Sequence, residues 1–368
     1  KRSLAMKTKI LAMYLPQYHT FKENDEWWGK GHTEWVSCKA SKSLYKNHYQ
    51  PRIPLNKNYY DLSTVDEQIK QAELAKKYSI YGFCYYHYWF NGKILMQKPL
   101  ENMLNTPEIN IPFCISWANH TWTQSPKKSD QKRVLIKQEY GDEKDWIKHF
   151  NYLLNYFNDD RYIKIDGKPM LIIYDAKGIT EWSKMQKCWN KLAVEAGFSG
   201  IYYVSTIKYE NEIEITSNMN FDAQFEYQPT YALSRGNFLN YAWYANIKRV
   251  VCRDIIHRPC VLNYDKVWKR VLKSNHNGQL KTFLGAYNDW DTTARWGKAG
   301  IVHQGASPEK FKKYFQMQYK RSNNLKNEFM FFTAWNEWSE GAYLEADEKN
   351  KYGYLEAIRD VVKNDGNK

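Results

Sequence analysis

The carboxyl groups best placed to do chemistry stand in FTAWNEWSEGAYLEAD, residues 332–347, where Glu337 and Glu340 lie three positions apart among tryptophans and directly after an apolar run. If the chain turns helically there, positions i and i+3 share a face with Cβ atoms roughly 5–6 Å apart. Cleavage of a glycosidic bond uses such a pair: one acid protonates the leaving oxygen and the other assists at the sugar. The closeness suits retaining enzymes, whose carboxyls stand about 5–5.5 Å apart, and mutual repulsion raises one pKa so that an acid stays protonated. Spacing alone fits equally two loop glutamates that cap backbone or pair with lysines.

Other constellations are thinner. His19, His87 and His120 lack a partner at HExxH-like spacing and read as hydrogen-bonding histidines rather than metal ligands. Asp289-Trp290-Asp291 has the DxD form that holds a divalent ion in nucleotide-sugar transferases, a pattern that also arises often by chance. Gly29-Lys30-Gly31 is neither a P-loop nor GxGxxG, and no GxSxG elbow stands out. The residues call for no cofactor and no metal.

Something must deliver the acids, and apolar runs bounded by turn signals supply it. They fall at 9–16, 81–90, 112–119, 169–176, 201–206, 221–229, 282–290 and 329–336. Continuous rather than alternating, they have the character of strands buried on both faces of a parallel sheet. Helical periodicity marks Leu62–Tyr78, with Ser63 or Thr64 able to cap it, and further helices are expected over 143–158, 181–196, 239–257, 308–325 and 354–362. Helix coverage between the fifth and sixth strands is thin. Eight β units with intervening helices predict an α/β fold, a single (β/α)8 TIM barrel with elaborated βα loops spanning residues 1–368; an open doubly wound sheet is the rival. About 45 residues rich in Trp, Gly and Pro separate the first strand from the first helix, and a loop that long is usually functional.

In such a barrel the site lies at the C-terminal ends of the strands. Those ends carry Tyr18, Tyr86, His87, Trp89, Trp117, Asn119, His120, Trp122, Glu226, Tyr227, Trp290, Asp291, Trp335, Asn336 and Trp338, a rim of stacking rings, hydrogen-bonding groups and acids. With 15 Trp and 30 Tyr, the chain is rich in rings that join an apolar face to a polar edge, a mix that suits sugars or simply fills a large core.

Formal net charge is +14, densest through Lys248, Arg249, Arg253, Arg258, Lys266, Lys269, Arg270 and Lys273. Without a helix-turn-helix, zinc-finger or RRM signature this argues against nucleic acid and leaves a solvated basic face, an acidic glycan or an anionic membrane surface. The six cysteines show no CxxC spacing and read as mostly free and buried. No stretch reaches the roughly 18–20 apolar residues of a membrane span, so a soluble domain is expected, cytoplasmic, or periplasmic or surface-located if an upstream signal was removed.

The segments YLPQYH (14–19), NDEWWGKGHTEW (24–35), HYQPRIPL (48–55), YGFCYYHYWFNGK (81–93), FCISWANHTWT (113–123), DGKPMLIIY (166–174), FDAQFEY (221–227) and AWNEWSEGAYLEAD (334–347) resemble the WbsX-like family along nearly the whole chain. Members of that family are usually labelled glycosyltransferases of surface-polysaccharide gene clusters. The NEWxEG motif is also similar, more distantly, to glycoside hydrolase family 99, retaining endo-α-mannosidases and endo-mannanases on a (β/α)8 barrel. That resemblance implies Glu337 as the base that takes a proton from the sugar 2-hydroxyl and Glu340 as the acid, then base, at the leaving group. It further implies an oligosaccharide or polysaccharide substrate, with Glu34, Trp35, Tyr86, His87, Trp117 and Asn119 lining subsites. His120 stands where WbsX-like chains commonly have glutamate, so contacts at that subsite differ.

Overall fold

The computed structural model describes residues 7–124, 133–234, 241–274 and 280–364. Eight segments form the main parallel sheet: β1 (Lys9–Tyr14), β2 (Gly82–Phe90), β3 (Phe113–Trp117), β4 (Lys168–Ile173), β5 (Tyr202–Ile207), β6 (Ala223–Glu226), β7 (Lys281–Phe283 and Gly285–Tyr287) and β8 (Phe329–Thr333). Their order runs from the first half of β7 through β6, β5, β4, β3, β2, β1 and β8 to the second half of β7. Because both ends of that order belong to one segment, interrupted at Leu284, the sheet curls into a TIM barrel rather than an open sheet. Just past the interruption Gly285 runs against the Glu226 carbonyl, where an added Cβ would clash.

The apolar runs behave as their composition requires, and all nine residues of β2 are buried. Inside the barrel Phe331 stacks on Phe225 with centroids 4.2 Å apart, and Phe283 lies 5.9 Å from the same ring. Nearer the C-terminal ends the hydroxyls of Tyr86 and Tyr227 meet at 3.2 Å.

Around the sheet run α1 (Val65–Lys77), α2 (Lys98–Asn105), α3 (Glu143–Phe157), α4 (Trp182–Glu195), α5 (Glu212–Ser217), α6 (Tyr264–Val271), α7 (Pro308–Asn324) and α8 (Gly353–Asn364). Asp66 and Glu67 in the first turn of α1 and Lys76 and Lys77 in its last complement the helix dipole. Thr64 occupies its N-cap position but hydrogen-bonds backward to the Asp61 carbonyl instead of capping, contrary to the expectation for it. At α3, Asp142 and Asp145 form a reciprocal capping box. The short helices α2 and α6 escape the periodicity argument because eight residues give barely two turns. The helix expected over 239–257 is α-helical over Tyr241–Val251 and continues as a π turn, Cys252–Ile256.

The long segment after β1 contains two short helices, Lys22–Trp28 and Glu34–Ala40. It folds over the end of the barrel: Leu55 N–H donates to the Ala346 carbonyl and Tyr60 Oη to Glu345. All six cysteines are free, and five are buried. No helix among the described residues is long and apolar enough to cross a membrane.

Candidate active site

After β8 the chain passes Ala334 and Trp335, pairs Asn336–Glu337 antiparallel with Ala342–Tyr343, and closes one 3-10 turn, Trp338–Glu340, on Gly341 at φ +64°. Residues three apart eclipse in such a turn, which puts Glu337 and Glu340 on one side. Gly341 is required twice over: its φ is left-handed, and an added Cβ would meet Asp291 N at 2.8 Å. The turn is held from beneath. Asn336 accepts from Leu15 N at 2.7 Å and donates back to the Leu15 carbonyl at 2.9 Å, while Tyr18 Oη donates to the Asn336 carbonyl. Trp338 stacks on Tyr343 with centroids 3.7 Å apart and donates its indole N–H to Glu345.

One cation gathers the acids. Arg295, on the short helix Thr293–Trp296 after β7, donates through Nη2 to Glu34 at 2.7 Å, through Nη1 to Glu340 and through Nε to Ser339 Oγ at 3.1 Å; Nη2 also lies 3.7 Å from Glu337 Oε2. Ser339 Oγ–H donates to Glu34 in turn. The Glu337 and Glu340 side chains are 7 % and 17 % exposed, against 31 % for Arg295. Burial is the largest influence on Glu337 and pushes it well above the usual carboxylate range; the Glu340 charge adds to this, Arg295 opposes it and Glu34 reinforces it. Glu340 is raised as well, by burial first, with Arg295 opposing. Glu337 Oε2 is buried without a hydrogen-bond partner. In a folded interior such an oxygen is an exception that asks for a ligand. The wall near these acids is phenolic: the Tyr88 and Tyr86 hydroxyls feel the Glu337 charge, and Tyr174 and Tyr227 feel both glutamates.

The sequence profile described as Glycosyltransferase WbsX matches residues 10–358. The chain belongs to this WbsX family. It is 28 % identical over 359 residues to the protein WxcX of Xanthomonas campestris pv. campestris in two strains, an alignment covering 96 % of the chain and 49 % of WxcX. The chain thus spans about half the length of these curated relatives. Among solved structures it is similar to the GH99 endo-alpha-mannosidase of Bacteroides thetaiotaomicron, with 14 % identity, TM-score 0.58 and 96 % of each chain covered. It is also similar to a glycoside hydrolase-like protein, with 11 % identity, TM-score 0.58 and 98 % and 95 % coverage. At these identities the likeness shows the barrel fold.

In this WbsX chain the strand's period of two sorts the expected site residues. Tyr86 points into the barrel toward Tyr227, whereas His87 and Trp89, of opposite parity, turn outward beneath α3. His87 Nε2 lies 2.9 Å from His149 Nε2, and Trp89 stacks on His149 with centroids 4.5 Å apart. Trp117 joins the same outer cluster, 4.7 Å from His149 and 5.9 Å from Trp189. These three, expected at subsites, pack the sheet against its helices. Asn119 is also buried, tying Asp175 N–H and carbonyl to the end of β3. Glu226 reaches across the break in β7 toward Gly285 N and accepts from Gln228.

Trp335 and Trp338 are buried, Trp35 packs on Trp338 at 5.3 Å, and Tyr18 sits 4.8 Å from Trp35. Glu34, in contrast, stands among the acids themselves. Trp122 is half-buried against Tyr88 and Trp27. His120 is exposed, 5.5 Å from Tyr174, whose ring also carries the Lys208 ammonium at 4.0 Å. Arg295, Ser339, Tyr88, Tyr174 and Lys208 complete the surroundings. Parity with Tyr86 was a signal for Tyr88; nothing in the sequence signalled Arg295.

The DxD aspartates of the WbsX chain are spoken for. Arg52 donates to Asp289 at 2.8 Å, while Asp291 takes bonds from Gln50 at 3.0 Å and from Thr293 Oγ1 at 2.6 Å, with His48 Nε2 at 2.9 Å. Burial opposes ionisation of Asp291, but His48, Arg52 and Thr293 outweigh it and hold the carboxyl down at about 2. Asp291 is fully buried and Trp290 is 8 % exposed, so the expected ligand contacts instead brace the loop that carries Arg295.

Proposed function

We propose that the protein is a carbohydrate-active enzyme of one catalytic domain, a retaining, endo-acting glycoside hydrolase that cleaves a polysaccharide or oligosaccharide. The reading rests on one observation: Glu337 and Glu340 share the Arg295 guanidinium, both are raised from the ordinary glutamate value, and Glu337 Oε2 has no hydrogen-bond partner. Two interacting acids titrate as a pair, and their mutual repulsion together with burial disfavours the doubly ionised state.

In the first step Glu337 takes the proton of the sugar 2-hydroxyl, O2 bonds to C1, the glycosidic C1–O bond breaks and the leaving oxygen receives the proton of Glu340. In the second step Glu340 takes a proton from water, the water oxygen bonds to C1, the C1–O2 bond opens and Glu337 returns its proton to O2. Two inversions leave the anomeric configuration retained. Arg295 limits the build-up of negative charge while Glu337 is ionised. Tyr86, Tyr88, Tyr174 and Tyr227 offer hydroxyls and ring faces to a sugar, and Lys208 beside Tyr174, with the net charge of +14, favours an acidic glycan.

Glu337→Gln and Glu340→Gln are each expected to abolish depolymerisation of bacterial surface polysaccharides while leaving glycan binding intact; cleavage that survives either change refutes the mechanism. The family description favours a glycosyltransferase as the second reading. It predicts that a nucleotide sugar raises the melting temperature and oligosaccharides do not.

A further inference from the structure

The basic stretch between β6 and β7 takes no part in the chemistry above. It holds eight Lys or Arg against two Asp over residues 244–273. Its first half, the helix Tyr241–Val251 with the π turn Cys252–Ile256, is also where large apolar side chains face solvent. Ile247, Val250, Ile255 and Ile256 are 42 %, 49 %, 71 % and 51 % exposed. Ile255 and Ile256 stand in the π turn itself, and Ile247 and Val250 on the helix that leads into it. A helix that lies within a folded barrel normally turns such residues inward. Here the inward side is taken by Ala245 and Cys252, both buried.

The patch is placed on the site's own face of the barrel. Cys260–Asn263, which follows the π turn, pairs in parallel with Ile301–Gln304, and His303 N–H donates to the Trp290 carbonyl at the exit of β7. The turn lies beside Gly297–Ala299, next to Trp296, which is 55 % exposed and directly follows Arg295. Around these apolar groups stand the exposed cations Arg249, Arg258 and Lys298, while Arg253 is already paired with Asp254 at 2.6 Å. Apolar side chains that can enter the acyl boundary, ringed by cations and joined by an indole, match the chemistry of an anionic bilayer surface. A protein partner would need a shape to fit; a lipid surface needs only this charge and this exposed area.

We infer that the Ile247–Arg258 turn, together with Trp296, docks the barrel on an anionic lipid bilayer and so turns the acid-bearing rim toward the membrane surface. The inference stands apart from the proposed reaction, because it is read out by lipid binding without substrate.

Flotation with vesicles tests it. The chain is expected to float with equimolar phosphatidylglycerol and phosphatidylcholine, to stay behind with phosphatidylcholine alone, and to be released by added salt. The double change Arg249→Gln and Arg258→Gln is expected to weaken partition about 30-fold, and Val250→Asp with Ile255→Asp to abolish it. Both pairs are exposed, so melting temperature and circular dichroism should match the parent; Ile255→Ser serves as the gentler variant if the aspartates disturb folding. Equal binding to neutral vesicles, or anionic binding indifferent to these changes, overturns the inference. So does a dimer in solution that Ile255→Asp dissociates, since it would assign the face to a second copy.

Discussion

Replacing Arg295 with Gln removes the cation that three glutamates share, and its consequences can be worked out from the distances. At 3.7 Å and an effective dielectric of about 20, the attraction between the guanidinium and Glu337 is at most about 4.5 kcal/mol. Arg295 is 31 % exposed, so solvent screens part of this attraction. The sign follows directly. A cation favours the charged carboxylate, so its loss raises Glu337 and Glu340 further, and Glu34 and Glu340 are left in mutual repulsion. If the proposed mechanism holds, the base must be ionised and the acid protonated, so both limbs of the pH–rate profile move to higher pH. The primary assay needs no substrate: carboxyl NMR of the 13C-glutamate-labelled protein, with Glu337→Gln and Glu340→Gln for assignment, reads the apparent pKa values of the pair. Values that stay put or fall in Arg295→Gln, in a protein whose circular dichroism is unchanged, refute the electrostatic account of the site.

Glu345 offers a stability test. Burial, opposed by bonds from Trp338, Tyr60 and Gln71, raises it from 4.5 to about 7. A carboxyl raised in the folded state contributes stability that is complete below about 4.5 and lost as pH rises through about 7, here about 1–3 kcal/mol after allowance for partial exposure. Glu345→Gln is expected to flatten urea midpoints across that window. The buried His87–His149 pair acts in the opposite sense. Burial lowers His87 from 6.5 to about 3, so stability is lost as pH falls through that range, and His149→Phe should reduce the slope by up to about 1.4 kcal/mol per pH unit. Asp291→Ala strands His48 and Arg52 and should cost about 3–5 kcal/mol in urea unfolding. Mn²⁺ added to the parent chain should leave its melting temperature unchanged, because Asp289 and Asp291 are already bonded.

The barrel was legible because its strands announce themselves. Burial on both faces demands continuous apolar runs, and each predicted run overlaps an observed strand, with the acid pair delivered just beyond the eighth. The same continuity hid which parity faces inward. In YGFCYYHYWF every residue is apolar or aromatic enough for either side, so Tyr86 and Tyr88 could not be told from His87 and Trp89 until α3 was seen to claim the latter. The break at Leu284 was equally invisible, as was the close approach of Gly285 to the Glu226 backbone of a neighbouring strand.

What the sequence alone determined, then, was local: the strand runs, the long helices, and two glutamates held three residues apart by a turn that their own segment closes with Gly341. Tertiary structure decided the electrostatics. Arg295 meets Glu340 across 45 positions and Glu34 across 261, distances over which side-chain type carries no pairing information. Only the closure of the barrel, with the loop after β1 folded over its rim, brings the three acids to one guanidinium.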